Sequence, residues 1–167
     1  DEKGDPVYLK YGADIAKIAP RLKWFGYLST SGVYGDFKGD WVDEETPVNP
    51  TTRRGKIRLL AEQQWQNIED LPIHIFRLAG IYGPGRGPFA KVRAGTAQRV
   101  NKPGQVFSRI HVDDIAQTLY ASILCPNPPG LYNLCDDDPA PPQDVIGYAA
   151  ELLGLPLPPV ISFEEAD

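Results

Sequence analysis

Apolar positions along the chain alternate between two rhythms. Ala13, Ile15, Ala16, Ile18 and Ala19 have helical spacing that stops at Pro20, after which Trp24 to Leu28 reads as a short buried strand. Ile57, Leu60, Ala61, Trp65 and Ile68 recur at i, i+3 and i+4, which predicts one amphipathic helix over 52–68 that ends at Leu71-Pro72. Ile73 to Leu78 is β-rich and lies between Pro72 and a glycine-dense stretch, with the 24–28 strand as its expected neighbour. Further on, the pattern predicts a helix over 89–99 and a strand over 106–112. It then predicts a helix capped by Asp113 with Ile115, Leu119 and Ile123 inward, a strand over 131–135, and a helix over 144–153 with Gly154 as its C′ residue. Strand and helix in alternation imply βαβ units. The expected fold is therefore α/β, a doubly wound, mostly parallel sheet, with a small C-terminal lobe in the loop-rich final third. The expected division is residues 1–82 for the sheet domain and 83–167 for a lobe that sends segments back to the sheet.

Length and composition narrow the class. The 167 residues are enough for a real core, 42% are hydrophobic and 23% charged, and no apolar run approaches the roughly 18 residues of a membrane span. With 17 Lys and Arg against 22 Asp and Glu, a net charge of −5 and no basic cluster, nucleic acid is not the expected partner. A small organic substrate or a protein partner remains, and a small-molecule substrate is the expected one. Cys125 and Cys135, with only His74 and His111 beside them, make neither a disulfide framework nor a zinc pattern, so a cytoplasmic protein is expected.

In a parallel sheet, ligands bind beyond the carboxyl ends of the strands. Ser29-Thr30-Ser31 after the first strand offers hydroxyls that either satisfy local backbone or touch substrate. Gly80 to Gly87 after the Ile73–Leu78 strand fits neither phosphate-loop spacing, and Pro84 removes a donor, so a structural turn comes first and a glycine-lined substrate wall second. His111-Val112-Asp113-Asp114 is explained by a strand and a cap, so no metal is expected. No G-x-S-x-G elbow marks a hydrolase.

Five segments occur together in order: Tyr27-Leu28-Ser29-Thr30-Ser31-Gly32-Val33-Tyr34-Gly35, Asn49-Pro50 to Lys56, Phe76-Arg77-Leu78-Ala79-Gly80-Ile81-Tyr82-Gly83-Pro84-Gly85, Arg109 to Ile115, and Tyr132-Asn133-Leu134. In this the chain resembles the extended short-chain dehydrogenase/reductases of the NAD(P)-dependent epimerase/dehydratase group, which act largely on nucleotide sugars. The resemblance implies NAD or NADP as cofactor and a partial Rossmann-like fold. It also implies that the glycine-rich dinucleotide-binding unit precedes this chain in a longer protein.

It further implies site residues. Thr30 sits at the family's Ser/Thr position and Lys56 at its Lys position. Thr52 stands where the family has the Tyr of Y-x-x-x-K, which makes this an atypical member. Ser29, Lys56, Leu78 and Ile81 fall on cofactor-binding positions, and Gly80 and Arg109 on substrate positions. Phe107 replaces an Arg, and Arg109, two residues on, is expected on the same face. Such a protein is either an epimerase/dehydratase-like enzyme or a catalytically silent dinucleotide-binding sensor or scaffold. A homodimer is expected through the 52–68 helix, with Leu59 and Trp65 widening its apolar surface.

Overall fold

A computed structural model describes residues 4–166. It divides into two compact units, one made of the chain up to Ala79 with Asp114–Leu134, the other of Gly80–Asp113 with the chain from Cys135 onward.

The first unit is built on a parallel sheet of order β1-β2-β6, with β1 Phe25–Thr30, β2 Ile73–Leu78 and β6 Gly130–Leu134. Helix α1 spans Pro6–Ile18, longer at its start than the 13–19 expected. Asp5 accepts from the amides of Val7 and Tyr8, and Pro6 opens the helix, a start signal that apolar spacing alone misses. Helix α2, Arg53–Gln66, connects β1 to β2, and α4, Val112–Leu124, precedes β6.

Trp65, Ala19, Ile68 and Leu71 are buried together, with Tyr8 edge-on to Trp65 and Phe25 at 4.8 Å between ring centres. Trp65 is only 1% exposed, so it does not widen an outward apolar face of α2 as expected; Leu59, like Ile57 and Leu60, is half-buried. The helix needs Trp65 for its own core.

The second unit contains two short parallel pairs. Strand β3, Gly80–Tyr82, pairs with β5, Arg109–His111, and β4, Arg99–Asn101, pairs with β7, Val160–Ser162. The helix expected over 89–99 is only α3, Phe89–Arg93, because Gly95 turns left-handed (φ +67°) and the chain re-extends into β4. The expected 106–112 strand shortens to β5. The cap of α4 is not Asp113: its amide donates to Nδ1 of His111 at 3.2 Å, so the imidazole closes the helix start. Helix α5, Pro142–Leu152, packs Ala149 and Ala150 against Val92 and Ala97, and Gly154 lies past its end at φ +62°. Among the described residues no helix is long and apolar enough to cross a membrane.

Candidate functional site

The carboxyl end of the first unit's sheet gathers most of the expected residues. Thr30, Leu78 and Leu134 end their strands in register. The Thr30 hydroxyl accepts from the Gly32 amide at 3.2 Å and caps a one-turn 3₁₀ helix, Ser31–Val33. Thr52 does the same for α2, accepting from the Gly55 amide at 3.0 Å. Gly55 is buried, and a Cβ there would lie 2.7 Å from the Gly32 carbonyl oxygen, so only glycine lets the first turn of α2 seat on the 3₁₀ turn. That seating brings Thr52 and exposed Lys56 to the segment that follows Thr30. Leu78 is buried.

Beneath this end lies a polar cluster that the hydrophobic pattern does not reveal. Ser29, Arg77 and Asn133 form the register row just before the strand ends. Glu62, wholly buried on α2, accepts from the Ser29 hydroxyl and from Arg77, whose Nη2 lies 2.8 Å from Oε2. Arg77 Nη1 donates to the Tyr34 phenol oxygen at 3.0 Å and its guanidinium lies over that ring. The phenol in turn donates to Asn133 Oδ1 at 2.8 Å, and the Asn133 backbone N–H donates to the Glu44 carboxylate. Burial is the strongest influence on Arg77 and works against its charge, but the bonds from Glu62 and Tyr34 prevail and hold its pKa above the ordinary value. Glu62 and Arg77 could have been found as opposite charges at positions that the periodicity makes core: Glu62 follows Ala61 on the buried side of α2, and Arg77 sits inside an apolar strand.

Gly80, Ile81 and Arg109 belong to the second unit. Gly80 is paired with Arg109 and Ile81 with Ile110. The Arg109 guanidinium donates to the carbonyls of Phe107 (2.8 Å) and Ala140 (3.3 Å), so part of its donor set is spent on backbone. Phe107 lies outside β5 and bridges Ala140, so the shared strand face expected for Phe107 and Arg109 does not form. In the glycine stretch, Gly83 and Arg86 exchange backbone bonds of 2.9 and 3.0 Å in a tight turn.

One charge feature escapes a count over the whole chain. Residues 71–112 contain seven Lys and Arg and no Asp or Glu, and Arg86, Lys91 and Arg93 of that stretch are exposed. Among the described residues, no three His, Cys, Asp or Glu side chains are grouped as metal ligands.

No family model matches the chain. It is 32% identical over 159 residues to Protein YeeZ of Escherichia coli K12, covering 93% of this chain and 56% of YeeZ. A conserved protein of unknown function from Silicibacter pomeroyi is 62% identical with a TM-score of 0.96 over the whole chain and 59% of that structure. A candidate NAD-dependent epimerase/dehydratase from Methylobacillus flagellatus is 29% identical, TM-score 0.69, over 92% of this chain and 58% of that one. The dTDP-glucose 4,6-dehydratase of Bacillus anthracis, solved with NAD, shares the fold at 18% identity, TM-score 0.75, over 90% and 54%. The chain thus has the fold of NAD-dependent epimerase/dehydratases and spans a little over half the length of these relatives.

Proposed function

We propose that the chain is part of an NAD(P)-binding epimerase/dehydratase-like protein that acts on a nucleotide sugar or a related hydroxylated small molecule. The observation that carries the proposal is the seating of Gly55 on Gly32, which puts Lys56, Thr52 and the Thr30 segment at one sheet end. An exposed lysine ammonium suits the vicinal hydroxyls of a ribose. In this reading Lys56 holds the nicotinamide ribose, Ser29, Leu78 and Ile81 contribute to the cofactor wall, and Thr30 orients a substrate hydroxyl. The dinucleotide, when bound, supplies or accepts hydride. Gly80 and Arg109 are on the substrate side, and the exposed cations Arg86, Lys91 and Arg93 suit a phosphorylated ligand.

Calorimetric titration of the full-length protein with NAD and NADP tests this. Lys56→Ala is expected to weaken binding by about tenfold or more, the worth of a charge-assisted hydrogen bond; undiminished affinity would make Lys56 an ordinary surface lysine.

A second reading, a catalytically silent dinucleotide-binding sensor or scaffold, is favoured by Thr52. Its hydroxyl is occupied as a helix cap and is far too weak an acid to stand in for a phenol. Thr52→Tyr separates the two. Hydride transfer with a panel of nucleotide sugars rises above the parent if the scaffold is enzyme-ready, and stays flat, with cofactor still bound, if it is a sensor. A cytoplasmic homodimer belongs to the same proposal, with exposed Val7, Tyr11 and Ile18 on one face of α1 as the apolar surface instead of Trp65. Sedimentation as a monomer across micromolar concentrations would remove that part.

A further inference from the structure

We infer that the buried Glu62–Arg77 pair, with Tyr34, is a positioning device that sets the rotation of α2 against the end of β1 and so places Lys56 relative to Thr30. This inference rests on the reading of Lys56 and Thr30 as cofactor and substrate residues.

Geometry leads to it. α2 meets the strands at three points, one of them the half-buried Arg58, which donates to the Leu28 carbonyl at 2.9 Å and the Tyr27 phenol at 3.2 Å but binds β1 alone, short of its end; the other two lie at the sheet end. One is the Gly55–Gly32 seat, which limits how closely the helix approaches but carries no directional bond between side chains. The other is Glu62, two turns further on, whose two oxygens are held by Ser29 of β1 and by Arg77 of β2. A planar guanidinium forked onto a carboxylate is directional where apolar packing is not.

The same guanidinium reaches the Tyr34 phenol, and the phenol reaches Asn133 of β6, so one connected set of bonds ties α2, all three strand ends and the turn after Thr30. Arg77 and Glu62 are 4% and 0% exposed. Charges so deep are a poor way to gain stability, because well-packed apolar side chains of similar volume often serve as well or better. Their retention needs another account, and directional control of α2 supplies one.

The leverage is appreciable. The Cα atoms of a helix lie about 2.3 Å from its axis, so a rotation of about 20° shifts each by about 0.8 Å. Displacements of about 1 Å at a reacting centre cost about a hundredfold. Lys56 lies on the same rigid helix as Glu62, six residues earlier, and follows any such rotation.

The double variant Glu62→Leu/Arg77→Met tests this in the full-length protein by three measurements: the thermal unfolding midpoint, NADH affinity followed by the fluorescence of the reduced cofactor, and amide exchange over Thr30–Tyr34. The expected result is an unfolding midpoint close to the parent's, NADH binding weakened at least tenfold, and faster exchange in that turn. Parent-like affinity and exchange in a stable double variant would overturn the inference and leave the pair a matter of packing.

If the double variant fails to fold, Tyr34→Phe, which removes one hydroxyl and leaves the ion pair intact, is expected to weaken NADH several-fold with little change in midpoint. Unchanged affinity and exchange there would overturn the inference equally. Should the parent bind neither NADH nor NADPH, the functional proposal fails, and the positioning claim stands or falls on amide exchange alone.

Discussion

The two ends of the three-stranded sheet both bury polar side chains, and they do it in opposite ways. At the carboxyl end, on the α2 side, the cluster is ionic: Glu62, Arg77, Ser29, Tyr34 and Asn133 form one connected set. At the amino end the cluster is neutral. The Trp24 indole donates to the Ser122 hydroxyl at 2.8 Å, Ser122 lies 3.3 Å from His74 Nδ1, and His74 Nε2 lies 3.0 Å from the Pro126 carbonyl. His74 also stacks with Phe76 and Tyr132, so the neutral cluster continues into an aromatic row. The neutral set can be matched bond for bond at small cost. The ionic set places charge in low dielectric and demands complete pairing. Only the ionic end leads into the segments that carry Thr30, Thr52 and Lys56, which is where directional rigidity is of use.

The comparison breaks most visibly when one ionic partner is removed. Arg77→Met leaves the Glu62 carboxylate buried without its counter-charge, and the expected loss is about 3–5 kcal/mol in denaturant unfolding. A loss below about 1 kcal/mol would mean that water or another group satisfies Glu62, and the contrast between the two ends would vanish.

At the neutral end the same operation is expected to cost less. Ser122→Ala deprives the Trp24 indole of its acceptor and His74 of its partner, both half-buried contacts, for an expected loss of about 1–2 kcal/mol. A cost equal to that of Arg77→Met would show that charge is not what distinguishes the two clusters.

How far these clusters were legible in the sequence follows from what each kind of contact leaves there. Helix periodicity and short β-rich runs locate α2, β2, β6 and α5 to within a few residues, because the helices bury one apolar stripe and β2 is buried on both faces between its neighbours. They fail where a local device outweighs spacing: Asp5-Pro6 starts α1 early, Gly95 cuts α3 short, and a histidine caps α4. Thr30, Thr52 and Lys56 were found from motif order, and their nearness depends on a glycine contact between residues 32 and 55 that no local pattern records. Glu62 and Arg77 stand out as opposite charges at core positions, but they and Asn133 come from three different elements, and nothing local pairs them. Trp65 was misplaced because an amphipathic helix does not announce how wide its buried stripe is.

The smallest expected effect concerns pH and separates the two ends by their response to protons. Burial holds the His74 pKa below its ordinary value, with the Pro126 carbonyl opposing that shift only in part. The carbonyl can only accept, so His74 donates from Nε2 and its Nδ1 accepts from the Ser122 hydroxyl. Protonation would place a second N–H toward an oxygen that already accepts from Trp24, and the hydroxyl hydrogen would lose its acceptor. Between pH 6.5 and the lowered native value the unfolded chain therefore binds more protons at this site than the native one. The contribution is complete above about pH 6.5 and declines as the pH falls through the native pKa. With His74 fully neutral in the native state, linkage limits the loss to about 0.8 kcal/mol by pH 6. His74→Phe keeps a ring in the stack and removes the titration. Unfolding free energies of the parent and of His74→Phe, measured from pH 7.5 to 5, are expected to converge as the pH falls, and parallel curves would mean that His74 does not distinguish the amino end by its protonation.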